Sequence, residues 1–207
     1  LFVDTDSNLS SDRESQLLKN INYPHLAGLK YEVKVYKLIL RDIIANNYSP
    51  NFISYVAYGC CRIPEILKIS DTESSRIIQR NFNREHGKLM YSPQTKMCIL
   101  ITERAGNGIQ FGFSNINYPT TNLSLLFDKL SSRDQKAVLF QIIYSIEVML
   151  RFRINHNDLH ADNILITKFP KKIPLIFIVN DRKFLIETQY IPYIFDWDYA
   201  YAEALGE

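Results

Sequence analysis

Long apolar runs are scarce in this chain, and neither sign of charge dominates it. The longest apolar runs, PLIFIV and YIPYIF, are far shorter than the roughly 20 residues that a helix needs to cross a bilayer. Lysine and arginine (24) nearly balance aspartate and glutamate (22), and the formal charge is +2. We therefore expect no membrane span, and no basic surface strong enough to make nucleic acid the main ligand.

Cysteine is scarce as well. Of the three cysteines, Cys60 and Cys61 are adjacent, and the set offers neither a disulfide framework nor a CxxC metal pair. We expect small buried hydrophobic side chains at these positions and a reducing intracellular compartment, the cytoplasm. The remaining composition, 46% hydrophobic and 22% charged, is that of a globular protein with one large domain or two small lobes.

The first half of the chain shows mainly strand patterns. LFVDT reads as the end of a strand, and DTDSNLSSD after it as a polar loop. Helical spacing of apolar residues predicts a helix over about 31–46, with Glu32 in its first turn. NFISYVAYGCC and MCILITERA are typical of strands, while the polar segment 70–94 has no clear pattern.

The second half begins with helices. SLLFDKL predicts a short helix, and Ser131 is expected to cap a long one that ends near Arg153. The apolar positions of the long helix keep a 3.6-residue period: Val138, Leu139, Ile142, Ile143, Ile146, Met149 and Leu150. HNDLHADNILI follows, then a Pro/Lys loop, two strand patterns (PLIFIVN and KFLIET) and YIFDWD. This order predicts two lobes that meet near residues 103–108.

The stretch HNDLHADN allows three interpretations. His156 and His160 stand four residues apart, as in the HExxH motif of zinc proteases, but Asn157 replaces the glutamate that serves as general base. Asparagine and aspartate are also dense enough here to favour an irregular loop over a helix. A solvated polar loop before a strand is the second interpretation.

Phosphoryl transfer is the third. A kinase-type site needs a carboxylate that accepts or orients the proton of the acceptor hydroxyl, and oxygen ligands that hold Mg²⁺. The pattern H-x-D-x-x-x-x-N, followed by a D-F-G at a later strand end, supplies them. His156, Asp158 and Asn163 fit that spacing. Asp196 follows YIF, and Trp197 takes the place of the phenylalanine.

These motifs resemble the catalytic loop and the metal-binding strand end of the protein-kinase-like superfamily. HNDLHADNILI is similar to the H-x-D-L-H-x-x-N form of atypical and aminoglycoside-phosphotransferase-like kinases. SPNFISYVAYG and FDWDYAY resemble putative protein kinases of giant DNA viruses. The resemblance implies an α+β, bilobal protein-kinase-like fold, incomplete at both ends, with a partial N-lobe (1–105) and a partial C-lobe (106–207). If the chain is viral, the host cytoplasm or the virion is the expected location.

The resemblance also implies roles for single residues. Asp158 would be the catalytic base, and His160 would stand where protein kinases carry a lysine that contacts the transferred phosphate. Asn163 and Asp196 would bind Mg²⁺ or Mn²⁺ and, through it, ATP. Asp198 replaces the glycine of D-F-G, and is either a further metal ligand or a solvent-facing residue of the next turn. His156 would pack the loop and bond to the backbone near the metal strand.

Two further ATP contacts follow from the same resemblance. Glu32 matches the helical glutamate that pairs with the ATP-binding lysine, although a first-turn glutamate favoured by the helix dipole would look the same. The lysine and the Gly-rich phosphate loop are expected before Leu1. The catalytic loop 156–163 and the D-W-D segment 196–198 would then work with a hinge at ITERAGNG, where the backbone of Glu103, Arg104 and Ala105 would bind adenine.

The expected function is an ATP- and Mg²⁺-dependent phosphotransferase, with a protein serine or threonine as the first choice of acceptor. Two alternatives stay open. His160 and Trp197 in place of the usual residues favour a small-molecule kinase of the aminoglycoside or choline type. A pseudokinase that serves as a binding scaffold is favoured by the missing lysine, whereas the aligned Asp158, Asn163 and Asp196 favour the enzyme.

Overall fold

The computed structural model describes residues 2–4, 24–62, 96–106 and 118–206. The predicted loop DTDSNLSSD and most of the unassigned segment 70–94 lie outside these ranges. The elements of the described ranges, in chain order, are β1 (Phe2–Asp4), α1 (Pro24–Ile39), a π-helical turn (Leu40–Ile44), β2 (Tyr55–Arg62), β3 (Lys96–Thr102), β4 (Thr120–Asn122), α2 (Leu123–Leu126), a 3-10 turn (Phe127–Lys129), α3 (Ser132–Arg151), β5 (Ile154–Asn155), a 3-10 turn (Ala161–Asn163), β6 (Ile164–Val179), β7 (Arg182–Ile194), β8 (Tyr201–Ala202) and a 3-10 turn (Glu203–Leu205).

The fold is of the α+β class, as predicted. Antiparallel pairing joins β1 to β3, β4 to β6, β5 to β8 and β6 to β7. The chain forms two compact units: residues 1–30 with 57–101, and residues 31–56 with 102–207. All the residues expected to carry function belong to the second unit, while the predicted lobe boundary at residue 105 stays a prediction.

In the first unit, three strands form a sheet in the order β1-β3-β2. A disulfide joins Cys60, which is exposed, to Cys98, which is buried. The expectation that the cysteines form no disulfide is therefore wrong for this pair, because two strands far apart in sequence bring the thiols together. Disulfides are rare in reducing compartments, so the cysteine argument for the cytoplasm no longer holds and the location stays a prediction.

Helix α1 starts earlier than its apolar pattern predicted. It begins at Pro24, a residue that the first turn of a helix tolerates, and it ends at Ile39 before the π-helical turn. Glu32 is thus in the middle of the helix and not in its first turn. The helix-dipole explanation for Glu32 is therefore wrong, since the dipole acts mainly within the first turn.

The long helix α3 is capped as predicted. Ser131 accepts a hydrogen bond from the Asp134 backbone N–H at 3.2 Å, and the helix ends at Arg151. Its apolar stripe is wider than the face that packs inward: three of the seven predicted positions are buried (Val138, Ile142 and Met149) and three are exposed (Leu139, Ile143 and Leu150).

A buried polar network, which the apolar pattern could not show, joins α3 to β7. Asn51 and Gln141 are both fully buried, and their side chains share a hydrogen bond of 3.1 Å. Each also donates to a carbonyl of β7: Asn51 to Pro192 at 2.9 Å, and Gln141 to Tyr190 at 3.0 Å. Because every donor has an acceptor, these amides are buried without an unpaired group in the contacts described.

The long β6–β7 hairpin carries the motifs. The segment predicted as a Pro/Lys loop is part of strand β6, and the pairing register shifts there between Lys168 and Ile173. A bulge is a position where a strand accommodates proline, since ladder bonds are interrupted there.

Within the described ranges, no helix is both long enough and apolar enough to cross a membrane.

Candidate functional site

The β6–β7 ladder places the two acidic motifs side by side. Its register sets Ile164 opposite Ile194. One step further along, the Phe195 backbone N–H donates to the Asn163 carbonyl at 3.3 Å. HNDLHADN ends at Asn163, and D-W-D begins directly after Phe195. The two segments expected to act in phosphoryl transfer therefore meet at one end of the ladder.

The loop that carries Asp158 is irregular and ends in a single 3-10 turn, as expected from its asparagines and aspartates. Asn163 is buried, and its Nδ2 donates to the Asp158 carbonyl at 3.0 Å and to Asp158 Oδ2 at 3.3 Å. The Asp158 side chain remains 44% exposed. Since the amide nitrogen of Asn163 is directed at Asp158, its Oδ1 is the atom that could bind a cation.

His160 lies next to the same carboxylate. Its Nδ1 accepts the Asp162 backbone N–H at 3.2 Å, so the proton of the neutral ring is on Nε2. Nε2 is 3.7 Å from Asp158 Oδ2. The two residues that the sequence assigned to catalysis are thus brought together, with the imidazole N–H beside the proposed base.

Trp197 anchors the D-W-D segment in the core. It is fully buried, with its ring centroid 4.6 Å from that of His156, 6.1 Å from Phe52 and 6.4 Å from Tyr36. The His156 Nε2 is 3.0 Å from the Phe195 carbonyl oxygen, to which a protonated Nε2 donates. The packing role predicted for His156 agrees with these contacts. The aromatic cluster holds the backbone on both sides of Asp196.

Three carboxylates lie together at the D-W-D segment. Glu32, Asp196 and Asp198 each place an oxygen within 4.8 Å of the others, and this cluster could hold a metal ion. Asp196 and Asp198 were predicted as ligands, but Glu32 was expected to pair with a lysine. Among the residues that the structure describes, Glu32 forms no ion pair. Its pairing with a lysine stays a prediction.

A hydrogen bond joins the side chains of Glu32 and Asp198. Burial raises the pKa of the Glu32 carboxyl to about 8, and the charge of Asp198 and a hydrogen bond between the two side chains act in the same direction. The Trp197 backbone N–H, which donates to Glu32, lowers the pKa and offsets part of this rise. Near neutral pH, Glu32 is therefore mostly protonated and donates to Asp198.

This raised pKa predicts a stability that falls with rising pH. Between the unfolded pKa of 4.5 and the folded pKa of about 8, only the folded state binds the Glu32 proton, so unfolding free energy decreases by at most about 1.4 kcal/mol per pH unit. Glu32→Gln should lack this contribution. Urea unfolding in a chelating buffer between about pH 5 and about pH 8 measures it.

Glu147→Gln is the matched control, because Glu147 is an exposed carboxylate paired with Arg151 at 3.0 Å. This control should keep the pH dependence of the wild type. Identical pH profiles for the wild type and Glu32→Gln would contradict the raised pKa of Glu32.

Some backbone groups of the expected hinge already form hydrogen bonds to other residues of the protein. Glu103 donates its backbone N–H to the Ser54 carbonyl at 2.8 Å, and its Oε1 accepts the Ser54 N–H at 3.4 Å. Burial also raises the pKa of the Glu103 carboxyl. The Ala105 carbonyl accepts the Thr120 hydroxyl at 3.2 Å, and Arg104 is exposed. Of the predicted adenine contacts, these bonds leave available the Glu103 carbonyl, the Ala105 N–H and both backbone groups of Arg104.

Two loop residues with left-handed backbone bind the segment that follows D-W-D. Asn157 (φ 61°) donates its Nδ2 to the Tyr199 carbonyl at 3.0 Å. Arg153 (φ 54°) accepts the Glu203 N–H on its carbonyl at 3.1 Å, and the two side chains form an ion pair. Asn157 and Arg153 thus hold both ends of a short segment beyond Asp198.

Tyr36 is a site residue that the sequence reasoning did not identify. Its hydroxyl oxygen accepts the Asp196 backbone N–H at 3.4 Å. Burial and the nearby Glu32 carboxylate raise the pKa of this hydroxyl, so it stays protonated at physiological pH. The available signal was its spacing, since residues four apart on a helix share a face, and Tyr36 stands four after Glu32.

Comparison with known proteins adds no family to this description. No protein-family model matches the chain, and neither does any curated protein. The assignment of this site therefore depends on its own geometry.

Proposed function

We propose that this protein is an ATP- and Mg²⁺-dependent phosphotransferase with a bilobal protein-kinase-like fold. In it, the γ-phosphoryl group of ATP passes to a hydroxyl, of which protein serine or threonine is the first choice. One observation carries the proposal: the bond of Asn163 to Asp158, together with the bond of Phe195 to Asn163, places Asp158, Asn163 and Asp196 on adjoining segments. A base and two oxygen ligands in that arrangement are what a kinase site requires.

Asp158 would orient the acceptor hydroxyl and take its proton. Its carboxylate is half exposed, so an acceptor can approach it, while Asn163 holds one of its oxygens. His160, with its N–H beside the same oxygen, would stabilise negative charge on Asp158 or on the transferred phosphoryl group. The chain thus supplies a fixed base and a neutral donor next to it.

The donor set fits a hard cation. Asp196 and Asp198 belong to the carboxylate cluster that could hold a metal ion, and Asn163, whose Nδ2 is directed at Asp158, would add its Oδ1. All three supply oxygen ligands of the type that Mg²⁺ and Mn²⁺ prefer. When bound, the ion would neutralise charge on the phosphates of ATP. The Glu103 carbonyl and the Ala105 N–H would bind the adenine edge. Protein residues would therefore contact both ends of the nucleotide.

A pseudokinase scaffold is the second candidate, and one observation favours it. Glu32 bonds to Asp198 and to the Trp197 backbone instead of a described lysine. A small-molecule acceptor, suggested by His160 in place of a lysine, would use the same Asp158. Turnover of Mg-ATP separates the scaffold from both kinases.

Mg-ATP binding tests the proposal at its metal site. Titration calorimetry should show ATP binding that depends on Mg²⁺, and Asp196→Asn should weaken it at least about tenfold, since even groups that only support metal ligands matter by that much. Asp181→Asn is the matched control, because Asp181 is exposed in the turn between β6 and β7. ATP binding that ignores both Mg²⁺ and Asp196→Asn would contradict the assignment.

A further inference from the structure

A cavity of about 220 Å³ is lined by residues of the β4–β6–β7 sheet and of helix α2. Ile166 and Lys168 are two residues apart on β6, so their side chains lie on the same face of the sheet. Thr121 of β4 is paired with Ile166, and Tyr190 of β7 is paired with Lys168. Leu126 of α2 also lines the cavity. The cavity is thus built on one sheet face and bordered by a helix.

The walls of this cavity can hold an apolar group of limited size. Ile166 is fully buried, and Leu126, Pro119 and the ring of Tyr190 add further hydrocarbon surface. An apolar cavity of about 150 Å³ is large enough to bind benzene, whereas sites for drug-sized ligands begin at about 300 Å³. A volume of about 220 Å³ therefore suits a benzene-sized body with one small group attached.

Lys168 is the charged residue among those that line the cavity. Its ammonium lies 5.7 Å from the centroid of the Tyr190 ring, a cation–π distance that keeps the charge beside another lining residue. Within the described ranges, Lys168 forms no ion pair. The charge at this cavity is therefore positive and available to a ligand.

Two hydroxyl groups accompany the ammonium. The side chains of Thr121 and Tyr190 both line the cavity, and neither hydroxyl has a hydrogen-bond partner among the described residues. A carboxylate accepts hydrogen bonds on two oxygens, and its bonds to a charged donor are the stronger ones. A phosphate group carries a charge of about −1.5 to −2, which the single ammonium of Lys168 would leave partly unpaired. These donors fit a carboxylate better than a phosphate.

We propose that this cavity binds a small monocarboxylate with an apolar body about the size of a benzene ring. The body lies against Ile166 and Leu126, and the carboxylate pairs with the ammonium of Lys168. The site does not rest on the proposed function, because none of its lining residues is assigned to the acceptor hydroxyl, the cation or adenine.

Benzoate is the probe that tests this site, and benzamide is its uncharged counterpart with the same ring. Each is titrated into the whole chain with isotope-labelled methyl groups, and binding is followed by nuclear magnetic resonance. Benzoate should shift the methyl signals of Ile166 and Leu126 with a dissociation constant on the order of 1 mM, as expected for a ligand of so few atoms. Benzamide should bind about tenfold more weakly, because it lacks the charge that pairs with Lys168.

Substitutions separate the charge from the cavity. Lys168→Met keeps a side chain of similar length and, because Lys168 is exposed, should not disturb folding. It should weaken benzoate binding about tenfold and leave benzamide binding unchanged. Lys183→Met is the matched control, since Lys183 is an exposed lysine of β7 that does not line the cavity. Leu126→Trp should fill the cavity and remove binding of both probes.

Each result bears on one part of the proposal. No shift of the Ile166 and Leu126 signals at about 10 mM benzoate would overturn the site. Equal benzoate affinity in the wild type and Lys168→Met would overturn the pairing with Lys168, and equal affinity for benzoate and benzamide would overturn the carboxylate class. Unchanged benzoate binding by Leu126→Trp would place the ligand elsewhere and overturn the site as well.

The same titration keeps this site distinct from the proposed phosphotransferase. Asp196→Asn should bind benzoate like the wild type, because Asp196 does not line the cavity. Benzoate binding without any binding of Mg-ATP would support the cavity site and contradict the proposed function alone. Loss of benzoate binding in Asp196→Asn would overturn the separate site.

Discussion

Replacing Asp158 with asparagine should lower the rate of phosphoryl transfer by about 10²- to 10⁴-fold, the usual contribution of a positioned general base. The amide keeps the shape of the side chain but cannot take the proton of the acceptor hydroxyl. Asp158 receives a hydrogen bond from Asn163 and borders His160, so the loop has partners that retain its conformation in the variant. Mg-ATP affinity should stay close to the wild type.

Steady-state kinetics beside calorimetric Mg-ATP binding would check this result. Asp162→Asn is the matched control in the same loop, because Asp162 accepts the Ser124 hydroxyl on Oδ1, which the amide retains. The control should keep most activity. If Asp158→Asn transfers phosphate at the rate of the wild type, Asp158 is not the base. If Asp158 and Asp196 act as a unit, the losses of activity caused by substituting each of them should not simply add.

Truncating Trp197 to alanine should lower the free energy of unfolding by about 3–5 kcal/mol. Its indole is fully buried among His156, Phe52 and Tyr36, so alanine would leave a cavity that these rings cannot close. Because Trp197 lies between Asp196 and Asp198, the D-W-D segment should lose its fixed position at the same time.

Urea unfolding measures the loss of unfolding free energy in Trp197→Ala. Tyr199→Ala is the control, since the Tyr199 side chain is 71% exposed, and a substitution of that kind is expected to change stability by about 0.5 kcal/mol or less. Trp197→Phe keeps an aromatic ring and should fall between the two. A loss below about 1 kcal/mol in Trp197→Ala would contradict the packing of the segment against the core.

The spacing within HNDLHADN carried information about local geometry. The step from Asp158 to Asn163 spans one irregular loop and one 3-10 turn, so the contact between these residues is decided by the few backbone torsions between them. The strand patterns on either side, ILI and YIPYI, likewise indicated β6 and β7. The position of Asp196 after a strand could therefore be predicted from the sequence, although its left-handed backbone conformation could not.

Contacts between segments far apart in the chain could not be predicted from the sequence in the same way. The disulfide joins Cys60 to Cys98 through the pairing of strands separated by a long stretch of chain. Asn51 and Gln141 are polar residues at fully buried positions, which composition and periodicity would place on the surface. In each case the stabilising partner lies far away in sequence, and no local pattern names it.

The sequence by itself determined the α+β class, the capped helix α3, and the loop in which Asn163 meets Asp158. Only the tertiary structure decided the partners of Glu32 and the involvement of Tyr36. The physical reason is one of distance along the chain. Loop and helix geometry follow from neighbouring residues, whereas α1 reaches the D-W-D segment only after the core has packed. Burial of Glu32 beside Asp198 then changes its chemistry, from an ordinary ionised glutamate to a carboxyl that keeps its proton near neutral pH.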